Sequence, residues 1–254
     1  MTLSILSNLI ADAIVLLLAV GGTALFYRLF RRRALVGFFG VESDRKFRIY
    51  ISHLSIIPPI HPDGVERPFH GSTVGFPETN EARKIADLFL FLVPGFSTVS
   101  TVLGRLFFAD IEVNIEPAPF PPSEPELSRS YVSLGSSKFN SASKFIETKV
   151  RTDLGFRGED NAELHIPGLS PIRKDIATWN AFIARMTYNG LKLFYVAGFH
   201  DIGTAGAAFY LHRNWHFLHK KFRQSDFCVL LNLPTADYRL AHVVAENTLT
   251  SQPR

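Results

Sequence analysis

Cysteine is almost missing from this chain of 254 residues. There is one, Cys228, so no intramolecular disulfide can form. There is also no Asn-x-Ser/Thr acceptor, and both absences suit a reducing, cytosolic compartment. Cys228 lies in the apolar run 227–231, where a cysteine serves as small apolar filling rather than as a nucleophile. The common site fingerprints are missing too. Without G-x-x-x-x-G-K-[ST] or G-x-G-x-x-G, neither a P-loop NTPase nor an ordinary dinucleotide oxidoreductase is indicated. Without G-x-S-x-G, H-E-x-x-H or C-x-x-C, a nucleophile elbow, a zincin helix and a dithiol motif are also excluded.

A broad basic surplus is lacking as well. The net charge is +4, yet seven of the 27 basic residues are Arg28, Arg31, Arg32, Arg33, Arg45, Lys46 and Arg48. Taking those seven from the 27 leaves 20 against 23 acidic residues, so no nucleic-acid partner is expected.

What is present begins with an apolar stretch, residues 3–30, long enough to cross a bilayer. No positive region precedes it, no A-x-A-like site ends it and the arginines follow it. It therefore reads as a single-pass transmembrane helix rather than a cleaved leader. The flanking charge places the C-terminal portion in the cytoplasm, with the protein at the cell membrane. Ala19, Thr23 and the Gly21-Gly22 pair allow close helix approach and suggest a homo-oligomer. Whether the span forms a pore or only anchors stays open. The expected organisation is an anchor with basic flank over 1–33 and a juxtamembrane linker over 34–46. An α/β domain over 47–240 and a tail over 241–254 follow. The apolar run 34–41 reads as a surface anchor, and the proline-rich segment near 116–128 as a candidate internal boundary.

Within the domain, strands are expected at 48–52, 110–115, 131–134, 191–197 and 227–231, and helices at 78–92 and 141–150. A third helix follows the 191–197 strand and runs to Lys221, capped by Thr204. Asn189-Gly190 between two strand-like runs marks a hairpin with a type I′ turn. The fold class is α/β, a Rossmann-like and mostly parallel sheet with flanking helices and one hairpin.

Small-residue loops recur at three strand exits: Gly71, Ser72 and Thr73; Gly135, Ser136 and Ser137 with Asn140; and Gly198, Asp201, Gly203, Thr204 and Ala205. Ligands of open α/β sheets bind outside the carboxyl ends of the strands, and helix N-termini there favour anions. Such loops are also what tight turns and helix caps require. Glu78 and Glu81 open the first domain helix, where a carboxylate could meet a ribose or stabilise an oxocarbenium-like state. They also complement the helix dipole. His212, His216 and His219 recur at i, i+4 and i+7, a spacing zinc could use, with no obvious fourth ligand.

The motifs Leu134-Gly135-Ser136-Ser137, Asn140 and Gly203-Thr204-Ala205-Gly206, set behind an anchor and a basic flank, resemble membrane-anchored nucleotide-sensing effectors of bacterial anti-phage signalling, in the TIR-like and nucleoside deoxyribosyltransferase-like group. The resemblance implies a nucleotide ligand and membrane perturbation as output. The expected function is thus a nucleotide-binding sensor that couples ligand binding to oligomerisation. A tethered nucleotide glycosidase or NAD hydrolase using Glu78 or Glu81 is the alternative, and a scaffold without a small ligand the third.

Overall fold

The computed structural model describes residues 15, 22, 30–41, 45–52, 76–89, 111–118, 129–175, 179–234 and 237–250. Its first feature corrects the reading of the amino terminus. Residues 30–39 form a helix, α1, whose buried face carries Leu35, Phe38 and Phe39, while Phe30 is 68% exposed. Phe38 packs against Phe194, Trp215 and Phe227, with ring centroids 5.2, 6.2 and 6.2 Å away. Gly40, at φ 69°, ends the helix in a left-handed conformation, and the Val41 N–H donates to the Val36 carbonyl at 3.1 Å. The run read as a linker and surface anchor is therefore part of the domain core. Among the described residues no helix is long and apolar enough to cross a membrane. The expected single-pass membrane span, and the cell-membrane placement derived from it, are corrected on that finding. Of residues 3–30 only 15, 22 and 30 are described.

The remaining elements follow in order. β1 (Lys46–Ile51) precedes α2 (Phe76–Asp87), β2 (Glu112–Pro117) and β3 (Tyr131–Leu134). The short α3 (Ser141–Phe145) runs on into a π turn at Ile146–Val150. β4 (Gly155–Arg157), β5 (Glu163–His165) and β6 (Ile172–Arg173) make a small three-stranded sheet. β7 (Trp179–Tyr188), β8 (Leu191–Gly198), α4 (Asp201–Phe222), β9 (Phe227–Leu233) and β10 (His242–Thr248) complete the described chain.

The main sheet has seven strands in the order β10-β9-β7-β8-β3-β1-β2. It is mixed rather than mostly parallel. β2, β1, β3 and β8 run parallel, but β7 lies antiparallel between β8 and β9, and β10 is antiparallel to β9. The antiparallel ladders carry more of the pairing, with eight, seven and six registered pairs against six, three and four in the parallel ones. The cause is local. Asn189 (φ 50°) and Gly190 (φ 84°) both take the positive φ of a type I′ turn, and a two-residue turn can only join antiparallel strands.

Side-chain alternation along the strands divides the core between the two faces of the sheet. Ile49, Val132, Ile183, Phe194 and Val229 pack with α1, α2 and α4 on one face. Tyr50, Tyr131, Phe182, Tyr195 and Leu230 pack with α3 and the small sheet on the other. The buried side of α4 opens with Gly203, Thr204, Ala205, Gly206, Ala207 and Ala208, small enough for the helix axis to lie close to the strands. The sequence reads 241–254 as a tail, but 242–248 form β10 at the sheet edge.

Candidate functional site

After β1 the chain returns as α2 on one face, and after β3 it returns as α3 on the opposite face. β1 and β3 are neighbours, so their carboxyl ends form a topological switch point, where open α/β sheets leave a crevice. Ser52, Glu78 and Gly135 meet there. The Ser52 N–H donates to Glu78 Oε1 at 2.7 Å, and Ser52 Oγ donates to the Leu134 carbonyl at 3.2 Å. Gly135 has φ 98°, and a Cβ on it would lie 1.8 Å from Ser52 Oγ and 3.5 Å from Glu78 Oε1. Only glycine lets the β3 exit take this left-handed turn so close to the Ser52 hydroxyl.

Glu78 is 3% exposed. Burial pushes its carboxyl up to about 7, the Ser52 hydrogen bonds oppose the rise, and the nearby Asp201 charge adds to it. A carboxyl balanced between its two protonation states at neutral pH, at a switch point, is the kind of group proton transfer uses. Asp201 opens α4 and is exposed, its Oδ1 accepting from the Ile202 N–H at 2.8 Å. His200 precedes it as the N-cap residue, with no side-chain cap bond, and stacks edge-on to Trp179 at 6.1 Å. Burial lowers its pKa, Lys174 lowers it further and Asp201 opposes the drop.

Several residues expected at the ligand are engaged elsewhere. Thr204 does not cap α4 but lies inside it, and its Oγ1 accepts from the Gly198 N–H at 3.1 Å. Gly198 and Gly203 pack backbone to backbone, a Cβ on Gly198 falling 2.5 Å from the Gly203 carbonyl carbon. These glycines seat the helix against the strand, and Ala205 is fully buried beside them. Asn140 caps α3: its Oδ1 accepts from the Ala142 and Ser143 N–H groups, while Nδ2 donates to the carbonyls of Leu134 and Tyr50. Ser136 and Ser137 are half-buried at the crevice. Beneath them the Tyr195 hydroxyl donates to Glu147 Oε1 at 2.6 Å and accepts from the Ser137 N–H. Glu147 also accepts from the Phe156 N–H and from Arg157 Nη1, so a buried polar network fixes the loop from below. Gly71, Ser72 and Thr73 lie outside the described residues.

Glu81 belongs to a different place. It is fully buried, and its Oε1 accepts from Lys84 Nζ at 2.6 Å and from the Tyr238 hydroxyl at 3.0 Å, between α2 and the segment after β9. The three histidines of α4 diverge in the same way. Burial lowers the pKa of His212, which lies in the field of Glu81, and that of His219, which faces Arg185 and Phe38. His216 is exposed. Among the described residues no group of three or more His, Cys, Asp or Glu side chains could hold a metal ion. Cys228 is buried and its thiol is pushed up by burial, as expected of a filling residue.

Fold and site together define a mixed α/β domain with a carboxyl group at its switch point. Comparison with known protein families, with curated proteins and with solved structures finds no match. The resemblance to anti-phage nucleotide sensors therefore rests on the short motifs alone.

Proposed function

We propose that this protein binds a nucleotide at the β1/β3 switch point, with the Glu78 carboxyl meeting a sugar hydroxyl and the Gly135–Ser137 loop flanking the ligand. The observation that carries this reading is the convergence of Ser52, Glu78 and Gly135 at the place where α/β sheets take ligands. The carboxyl is held between the two chain returns, and the half-buried serines beside it rest on the Tyr195–Glu147 network. The test is calorimetric titration and thermal shift of the full chain with AMP, NAD and a cyclic dinucleotide. At least one should raise the melting temperature, and Glu78→Gln should weaken it roughly tenfold, about 1.4 kcal/mol. No stabilisation by any of the three would overturn the proposal.

Cleavage of an N-glycosidic bond is the second reading, favoured by the Glu78 pKa of about 7. A carboxyl with that value can protonate a leaving base or accept a proton from water at neutral pH. Release of nicotinamide from NAD, abolished in Glu78→Gln even at NAD concentrations that saturate the weakened site, would establish it. Binding without release would leave the protein a sensor.

A further inference from the structure

The other end of α4 borders a cavity. It measures about 680 Å³ and opens between α1 and the last turns of α4, within the size range of small-molecule sites. Its apolar wall is built by Phe30, Val36 and Gly37 of α1, and its polar wall by Arg33 of α1 with Lys220 and Arg223 of α4. No lining residue among those described is acidic. Cations at a helix C-terminus commonly answer the dipole, and that accounts for Lys220. It does not account for Arg33, which reaches the same space from a different helix.

An independent feature lies behind the wall. Arg185 is fully buried, and its Nη2 donates to the carbonyls of Arg223 and Ser225 at 2.7 and 2.5 Å. Its guanidinium carbon sits 5.1 and 4.9 Å from the ring centroids of Phe38 and Phe227, while Nε and Nη1 have no hydrogen-bond partner. Asp226, whose charge acts on it, is turned to Thr187, accepting from its N–H and hydroxyl at 2.9 and 2.7 Å. Positive charge thus lines an open cavity through the exposed Arg33, Lys220 and Arg223, with the buried Arg185 guanidinium behind it.

We propose that this cavity binds an amphipathic organic anion, its acidic head between Arg33, Lys220 and Arg223 and its apolar body against Phe30, Val36 and Gly37. The site is distinct from the switch point, since α4 has 22 residues and separates the two by roughly 30 Å at 1.5 Å per residue.

The experiment titrates the full chain with sodium decanoate below its micelle concentration, with 1-decanol and with acetate, following tryptophan fluorescence and melting temperature. Decanoate should bind, and decanol and acetate should bind at least tenfold more weakly, because each lacks one half of the ligand. Lys220→Glu and Arg33→Glu should each weaken decanoate at least tenfold. Gly37→Leu should block it with every charge kept, because no atom lies within 4 Å of a Cβ at Gly37 and the added side chain would fill the cavity. Circular dichroism checks that each variant is folded. Absence of decanoate binding, equal binding of decanol, or affinity unchanged in Lys220→Glu and Gly37→Leu would each overturn the proposal. Nucleotide binding is not expected to change in these variants, so this proposal and the switch-point reading fail separately.

Discussion

Glu78 is a residue whose setting reverses its usual contribution. Its carboxyl titrates near 4.5 when exposed and near 7 in the fold. Between those values the folded chain holds a proton that the unfolded chain has released. Stability therefore falls as the pH rises from about 4.5 to about 7 and levels off above, by up to about 3 kcal/mol for this group. Glu78→Gln should remove that slope, so the variant becomes the more stable of the two, relative to its value at pH 4.5, as neutrality is approached. Urea unfolding of both proteins at pH 4.5, 6 and 7.5 reads this directly, and parallel profiles would refute it. The carboxylate itself is visible in the sequence as an acid in a first helical turn. Its partner is not: Ser52 is simply the last residue of a strand-like run, and nothing in the spacing shows that its N–H reaches a residue 26 positions on.

At the scale of elements, α1 decides how the amino-terminal half is understood. An apolar face beside arginines has the same pattern whether it faces lipid or a β-sheet, so residues 34–41 could not be assigned from sequence alone. The structure puts Leu35, Phe38 and Phe39 in the core. Phe38→Ala is expected to cost about 3–5 kcal/mol, the range for truncating a buried aromatic, measured by chemical denaturation; a loss below 1 kcal/mol would contradict the packing. A chain begun after residue 41 should fare worse, since it loses all three side chains together. The hairpin was legible because an Asn-Gly pair admits few backbone solutions. Strand order and direction were not, because a buried run of Val, Leu and Phe looks the same in either orientation. β10 escaped notice for another reason. It is an edge strand of intermediate and exposed residues that include Glu246, Asn247 and Thr248, and the sequence has no strong period there.

For the molecule as a whole, the far carboxyl end closes the sheet. β10 covers the edge of β9, Leu249 is 5% exposed, and Arg151 Nη1 donates to the Thr250 carbonyl at 2.6 Å. Ending the chain at residue 240 should therefore lower stability by a few kcal/mol and bare the β9 backbone, a surface prone to edge-to-edge association. Light scattering and thermal melting of the truncated protein test both effects, and an unchanged melting temperature would rule out a structural role for β10. The position of α1 has a consequence for synthesis. Its aromatic face is completed by Phe194, Trp215 and Phe227, which a ribosome adding roughly 5–20 residues per second delivers about ten to forty seconds later. Throughout that interval Phe38 lacks these three rings, whereas the partners of Phe39, Phe47 and Phe89 at 5.6 and 5.3 Å, follow it closely along the chain. The nascent chain therefore completes the Phe38 side of this helix only when β9, the last strand but one, has emerged.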